Sequence, residues 1–531
     1  METPQSDLQS NNGQRSHFTF DPAYLYCLLA AARKVQKTIW RRLMFSRKPG
    51  NQEDSAHPFA CFCQKSEIEF LNNRISADLS RRGFVTGMAA SMLTLVLPKL
   101  ASAQTAPLPA SPTHPVLFTN IRLFDGKTGT LRDGLSVLVD GNRVHSVTPG
   151  KPTVADGTQT IDGGGRVLMP GLIDMHWHAI LAALPLQIAL TADIAFLHLA
   201  ASAEAQRTLM RGFTTVRDAG GPAFALKQAI DQGIISGPRI YPSGAMITST
   251  GGHGDFRSLA DIPRSGGKVS SSEQTGGSII ADNADEVRQR VREQFLQGAS
   301  QIKIVGSGGV STPRSPLDML TFTEPQLRAA VETAADLGTY VMVHAYTPPA
   351  VQRAIAAGAQ CIEHAHLMDD ATAALMAKNG TWLSIQPFVS EADAVPLTGP
   401  SREKMLAVFA GTNNAYTLAK KHGIKTAFGS DLLFSPVLAE RQGTMLTHLL
   451  NWYTPAETLK MATGTNGQLL ALSGPRNPYP GKLGVIEDGA MADLLLIDGN
   501  PVENLALLAD PSKNLLVIMK DGTIHKNTLK V

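Results

Sequence analysis

Six residues able to bind a metal or move a proton stand at the ends of short apolar runs: His176, His178, Lys303, His344, His364 and Asp431. The first two form His176-Trp177-His178, after Pro170-Gly171-Leu172-Ile173-Asp174. In an extended strand, residues two apart point to one face, so both imidazoles can reach one metal ion. Lys303 lies inside the apolar run Gln301–Val305, ahead of Gly306-Ser307-Gly308-Gly309. A charged lysine among apolar neighbours is costly to bury, so it either snorkels outward or is chemically altered. His344 ends a further run, His364 lies in Glu363-His364-Ala365-His366, and Asp431 closes Gly429-Ser430-Asp431. Any one of these reads simply as a satisfied core residue. Six of them at run ends do not arise by chance.

Strands must carry these residues, and the middle of the chain alternates short apolar runs with helical stretches. Expected strands are Gly171–Asp174, Thr214–Arg217, Ile240–Ser243, Gln301–Val305, Tyr340–Val343, Gln360–Glu363, Thr381–Ser384 and Lys425–Phe428. Helix-like segments between them include Asp285–Gln297, Glu324–Leu337, Pro348–Ala356 and Asp370–Asn379, often with glycine at the helix-to-strand joint. Eight strands alternating with helices over ~300 residues predict an α/β fold of the (β/α)8 TIM-barrel type, with its chemistry at the C-terminal strand ends. No GxGxxG follows an early strand, which argues against a dinucleotide fold. Before and after this middle, short strands are punctuated by Asp140-Gly141, Asp498-Gly499 and Asp521-Gly522, which read as hairpin turns. The expected organisation is a β-sandwich domain built from 116–169 and 476–531 around a barrel at 170–475.

These motifs resemble the amidohydrolase superfamily, in its imidazolonepropionase-like, Xaa-Pro dipeptidase-like branch. The resemblance runs over about residues 116–531 and includes Gly481-Lys482-Leu483-Gly484-Val485-Ile486, Ala492-Asp493-Leu494-Leu495 and Asp498-Gly499-Asn500-Pro501. It implies that His176 and His178 bind a first metal and that His344 and His364 bind a second. It further implies that Lys303 is N6-carboxylated to bridge them, and that Asp431 joins the first metal and handles the proton. Imidazole with carboxylate-type oxygen suits two divalent ions of the zinc kind. Two cations sharing a water lower its pKa enough for attack on an amide carbonyl, with Asp431 as general base and then general acid.

Two more residues are candidate catalytic groups. His253, in Gly251-Gly252-His253-Gly254-Asp255, opens a long polar loop. It resembles a substrate-contacting histidine of the branch, or else it only organises its turn. Tyr346, two residues after His344, can put its hydroxyl on the same face to help hold a developing oxyanion, or it packs under the loop. His366 is read as a support behind the ligands or left unassigned, because many relatives have glycine where this chain has Ala365. Arg217-Asp218 reads as an internal ion pair.

The implied function is metal-dependent hydrolysis of an amide in a dipeptide, an Xaa-Pro peptide or an N-acyl amino acid, the last including bulky aromatic ones. Cyclic amides, lactones and phosphotriesters remain alternatives on the same centre. A non-catalytic scaffold is disfavoured because all six ligand positions are filled.

The 531 residues, 43% hydrophobic and 18% charged, exclude a disordered tail, a collagen-like repeat and a multi-span membrane protein. The net charge of +3 is unevenly spread. Residues 1–103 hold 13 Lys+Arg against 8 Asp+Glu, so the rest is slightly acidic, with no nucleic-acid footprint. Cys27, Cys61 and Cys63 also fall early, and Cys361 alone in the main body cannot form an internal disulfide. Ser80-Arg81-Arg82-Gly83-Phe84, the apolar run Met88–Leu97 and Ala101-Ser102-Ala103 resemble a twin-arginine export signal, residues 80–103. That predicts a periplasmic or secreted enzyme. Residues 1–79, with one expected helix near Tyr24–Leu43, then read as an irregular prefix from an overcalled start codon. The expected partner is a small amide or peptide substrate. Neither nucleic acid nor stable membrane association after signal cleavage is expected, and homo-oligomer formation is left open.

Overall fold

The computed structural model describes residues 114–262 and 269–529. The leader at 80–103, the prefix with its Tyr24–Leu43 helix, and Cys27, Cys61 and Cys63 lie outside the described residues. In chain order the first strands are β1 (Val116–Phe124), β2 (Leu131–Asp140), β3 (Arg143–Pro149), β4 (Gln159–Pro170), β5 (Leu172–Trp177) and β6 (Phe213–Asp218). Next come β7 (Arg239–Tyr241), β8 (Met246–Thr248), β9 (Ser278–Ile280), β10 (Ile302–Val305), β11 (Val341–Ala345) and β12 (Cys361–His364). The last are β13 (Trp382–Ile385), β14 (Thr426–Phe428), β15 (Leu494–Ile497), β16 (Leu515–Lys520) and β17 (Thr523–Asn527).

Strands from both ends join in one seven-stranded sheet, ordered β17-β16-β15-β4-β1-β2-β3. β15 reads Leu-Leu-Leu-Ile without alternation because both of its faces are buried. Leu494 and Leu496 enter a small core with Phe118, Val137 and Val139, while Leu495 and Ile497 enter the large core of the middle region. The Asp521-Gly522 turn between β16 and β17 has both residues at positive φ, 54° and 74°, as a type I′ hairpin requires. Asp498-Gly499, expected to be a hairpin as well, is not one. β15 and β16 do pair antiparallel, but a long connection with its own short helices separates them.

The middle region holds two parallel arcs, β5-β6-β7 and β14-β13-β12-β11-β10-β8, with β9 outside β8. Side-chain amides stitch the arcs together. Asn466 Nδ2 donates to Ile173 O of β5 and to Phe428 O of β14, at 2.7 and 2.9 Å. Gln301 Nε2 donates to Asp218 O and Tyr241 O. Parallel strands with helices between them, bridged in this way, are mixed α/β content that fits a TIM barrel.

The expected third strand, Ile240–Ser243, is found as β7, which stops at Tyr241, and an unexpected strand, β8, follows from Met246. Gly244 separates the two at φ +75°, where a Cβ would come 2.2 Å from Gln294 Oε1. The helices Pro348–Ala356 and Asp370–Asn379 match the sequence reading residue for residue. Asn283 caps the helix Ala284–Gln297 by accepting from Asp285 N and Glu286 N, and Gly298 ends it in the left-handed region. Among the described residues, no helix is long and apolar enough to cross a membrane.

Candidate metal centre

His176 is the penultimate residue of β5 and His178 follows its last residue, two positions apart in extended chain, and both are buried. Their outer ring nitrogens are held: His176 Nδ1 by Glu363 Oε2 at 2.7 Å and His178 Nδ1 by Gly220 O at 2.8 Å. The Nε2 atoms then face Asp431 Oδ1, at 3.4 and 3.3 Å. Asp431 reaches this position because Asp431 N donates to His176 O (2.8 Å), which fastens the end of β14 to β5. Asp174 braces the same junction by accepting from His176 N, Ser430 N, Ser430 Oγ and Gln442 Nε2. Gly429 permits the approach, since a Cβ there would lie 2.5 Å from His176 Cβ. Gly429→Ala is therefore expected to displace His176 and weaken metal affinity by about 10- to 100-fold, the usual cost of disturbing a ligand's support. Chelator competition measures it.

Registry carries the other candidates in. Val305 pairs with His344, His344 with Glu363, and Ala345 with His364. His364 Nδ1 meets Gln386 Oε1 at 2.7 Å, and the ring lies 4.8 Å from that of His176. His344 Nε2 meets Gly308 O at 3.1 Å, and the His344 and His364 centroids are 4.5 Å apart. Ligand atoms of His176, His364 and Asp431 all lie within 4.8 Å of one another, a group able to hold a metal ion. His364 and Asp431 have φ of 78° and 51°, a left-handed conformation that non-glycine residues adopt only when their surroundings enforce it.

Burial, followed by neighbouring cationic groups, drives the pKa of His176, His344 and His364 well below the ordinary histidine value, so these rings are neutral donors. Burial also pulls His178 down, but its hydrogen bond to Asp431 and that carboxylate's charge turn the net shift upward. Lys303 is 2% exposed, on the same cavity, and makes no hydrogen bond or ion pair among the described residues. Burial lowers its pKa, against the opposing pull of Glu363 and Asp431. The donor set fits a metal pair: imidazoles anchored at one nitrogen, a carboxylate facing them, and a buried lysine without a counter-ion.

His253 joins the group from the loop after β8, where the sequence places it. Its ring stacks on His344 at 4.5 Å, and its Nδ1 has no partner among the described residues. Burial, with Lys303 and Lys404 nearby, pushes its pKa down to about 3. Tyr346 stacks on His364 at 4.9 Å and stands edge-on to His344. Burial raises its phenol well above the usual value, so it stays protonated and able to donate. His366 takes a bracing place: its Nε2 meets Gln386 O at 3.0 Å and its ring stacks on Phe388.

The Arg217–Asp218 ion pair does not form. Arg217 Nη2 bonds Glu363 Oε1 at 2.5 Å, and its other donors reach Met175 O and the Tyr340 hydroxyl. Successive strand residues point to opposite faces, so Asp218 looks the other way and accepts from Ala179 N and Gly220 N. Arg217→Met would leave Glu363 buried without its cation. The expected loss is about 3–5 kcal/mol of stability, read by urea unfolding. Glu363, Asp174 and Gln386 were missed as holders of ligands. Glu363 at least adjoins His364 in the sequence, whereas Asp174 and Gln386 carry no local signal.

Above the centre the cavity is walled by apolar groups, including Phe256, Phe388, Met405, Val408, Phe409 and Leu433. Residues 167–525 match the model of the amidohydrolase family. The chain is 31% identical to the ochratoxinase of Aspergillus niger over 375 residues, 68% of this chain and 76% of that protein. Among solved structures, an amidohydrolase is 35% identical with a TM-score of 0.72, covering 78% of this chain and 100% of that one. A prolidase crystallised with N-methylphosphonate-L-proline is 33% identical, with the same TM-score and the same coverage. Family match, relatives and site geometry together make this protein a hydrolase acting on amide bonds, and the chain belongs to the amidohydrolase family.

Proposed function

We propose that this enzyme is a two-metal amidase for Xaa-Pro dipeptides or N-acyl amino acids. The observation that carries the reading is the convergence of His176, His364 and Asp431 ligand atoms within 4.8 Å at the foot of an apolar-walled cavity. His176 and His178 with Asp431 would hold one divalent cation, zinc by donor type, and His344 and His364 the other, with carboxylated Lys303 between them. When bound, such a pair acidifies a water and polarises the amide carbonyl.

The chain's own groups do the rest. Asp431 Oδ1 takes the proton of the attacking water and passes it to the departing nitrogen. Tyr346 donates to the carbonyl oxygen as charge develops there, and His253, neutral and unpaired at Nδ1, contacts the substrate beside it. The apolar wall excludes bulk water and favours a large hydrophobic group next to the scissile bond. The names of the similar proteins, an ochratoxinase and a prolidase, support this substrate range.

The reading extends to the remaining architecture. The two arcs close as a (β/α)8 barrel over 170–475, and the terminal strands complete a sandwich from 116–169 and 476–531. The leader 80–103 directs twin-arginine export, with the mature enzyme beginning after Ala103. N-terminal sequencing of native protein tests the leader, and a mature end upstream of Ser80 overturns it. The activity is tested by assaying Xaa-Pro dipeptides, N-acyl amino acids and lactones with Zn2+ and with Mn2+, alongside metal analysis. Protein that binds no divalent ion, or cleaves only lactones, refutes the proposal.

A further inference from the structure

The loop that follows β10 is the hub of the second half of the site. Gly308 O holds His344 Nε2, Ser307 Oγ accepts from Tyr346 N (3.2 Å), and Thr312 Oγ1 accepts from Gly254 N beside His253 (2.9 Å). The loop also packs closely against His253, since a Cβ on Gly309 would fall 2.4 Å from Nδ1 of that ring. One loop thus sets three candidate groups at once. Gly308 admits no side chain either, because its Cβ would meet Pro316 O at 1.7 Å.

Lys404 grips this loop from the far side. It belongs to the helix Gly399–His422, whose Met405, Val408 and Phe409 wall the cavity. Its Nζ donates to Gly309 O, Thr312 O and Ser315 O at 2.7, 2.8 and 3.1 Å. Three carbonyls use all three protons of an ammonium group. Lys404 has no ion-pair partner among the described residues, so its hold on the chain is through directed hydrogen bonds rather than charge neutralisation.

We infer that Lys404 is a positioning residue, an ammonium clip that ties the substrate-wall helix to the loop setting His344, Tyr346 and His253. Its effect on turnover rests on the proposed reading of the site, whereas its effect on the loop does not. An arginine cannot replace it, because a planar fork does not place three donors around one point.

The test uses metal-loaded Lys404→Ala, which removes the ammonium and leaves room for propylammonium. Backbone amide exchange over 306–316 is expected to quicken and hydrolysis to fall about tenfold or more. Propylammonium should reverse both changes, and tetramethylammonium, which has no N–H donor, should reverse neither. Lys404→Arg should stay impaired. Unchanged exchange in Lys404→Ala, or equal rescue by both cations, overturns the clip. If propylammonium restores exchange while wild-type enzyme cleaves no amide tested, the clip stands and the proposed substrate reading falls.

Discussion

Asp431→Asn should keep its metals and lose turnover, with kcat falling by about 10²–10⁴-fold, the usual worth of a positioned acid–base group. The substitution is a clean one on structural grounds. Asp431 sits at φ 51°, and asparagine tolerates the left-handed region as readily as aspartate does. Its backbone N–H to His176 O is untouched, and so are the hydrogen bonds that Asp174 makes to Ser430. An amide oxygen can still face the two Nε2 atoms, but an amide cannot accept the proton of a water and return it. Metal stoichiometry, kcat and unfolding temperature measured on one preparation separate the outcomes. Wild-type kcat would remove Asp431 from the proton path, and loss of metal together with rate would make it a ligand only.

Lys303→Met should have a different signature. The lysine is buried in an apolar strand and makes no ion pair among the described residues, so an apolar side chain of similar length should pack there with little penalty. Metal-free Lys303→Met is expected to be at least as stable as metal-free wild type. Its activity should nevertheless fall by more than about 100-fold, beyond the cost of losing a mere ligand support. Fewer than two cations should remain per chain, and labelled bicarbonate should mark wild type but not the variant. A Lys303→Met enzyme with full metal content and rate would reduce Lys303 to packing.

How much of this was readable beforehand follows from distance along the chain. His176 and His178 were legible because their relation is local: two residues apart on a strand share a face. His344, His364 and Asp431 were legible as strand-end residues once the alternation of strands and helices was seen. The Arg217–Glu363 pair was not, because the partners stand on strands far apart in sequence and Asp218 offered a nearer, wrong answer. The split of β7 from β8 escaped because it depends on Gln294 filling the space at Gly244, a tertiary contact. Lys404 stands in a helix rich in lysine, where one charge that turns inward looks like the others that turn out.

β4 ends at Pro170 and β5 begins at Leu172, so the spine of the terminal sheet runs almost unbroken into the strand that carries His176 and His178. Its neighbour β15 lies roughly 320 residues later in the chain. At ribosomal speeds of about 5–20 residues per second, β4 waits on the order of 20–60 s for that neighbour. During synthesis the first ligand pair is therefore attached to a half-built sheet with an open edge. Metal offered before β15 emerges meets histidines whose supporting strand is not yet fixed, so the arrival of β15, rather than of the central parallel strands, is the event that readies the site.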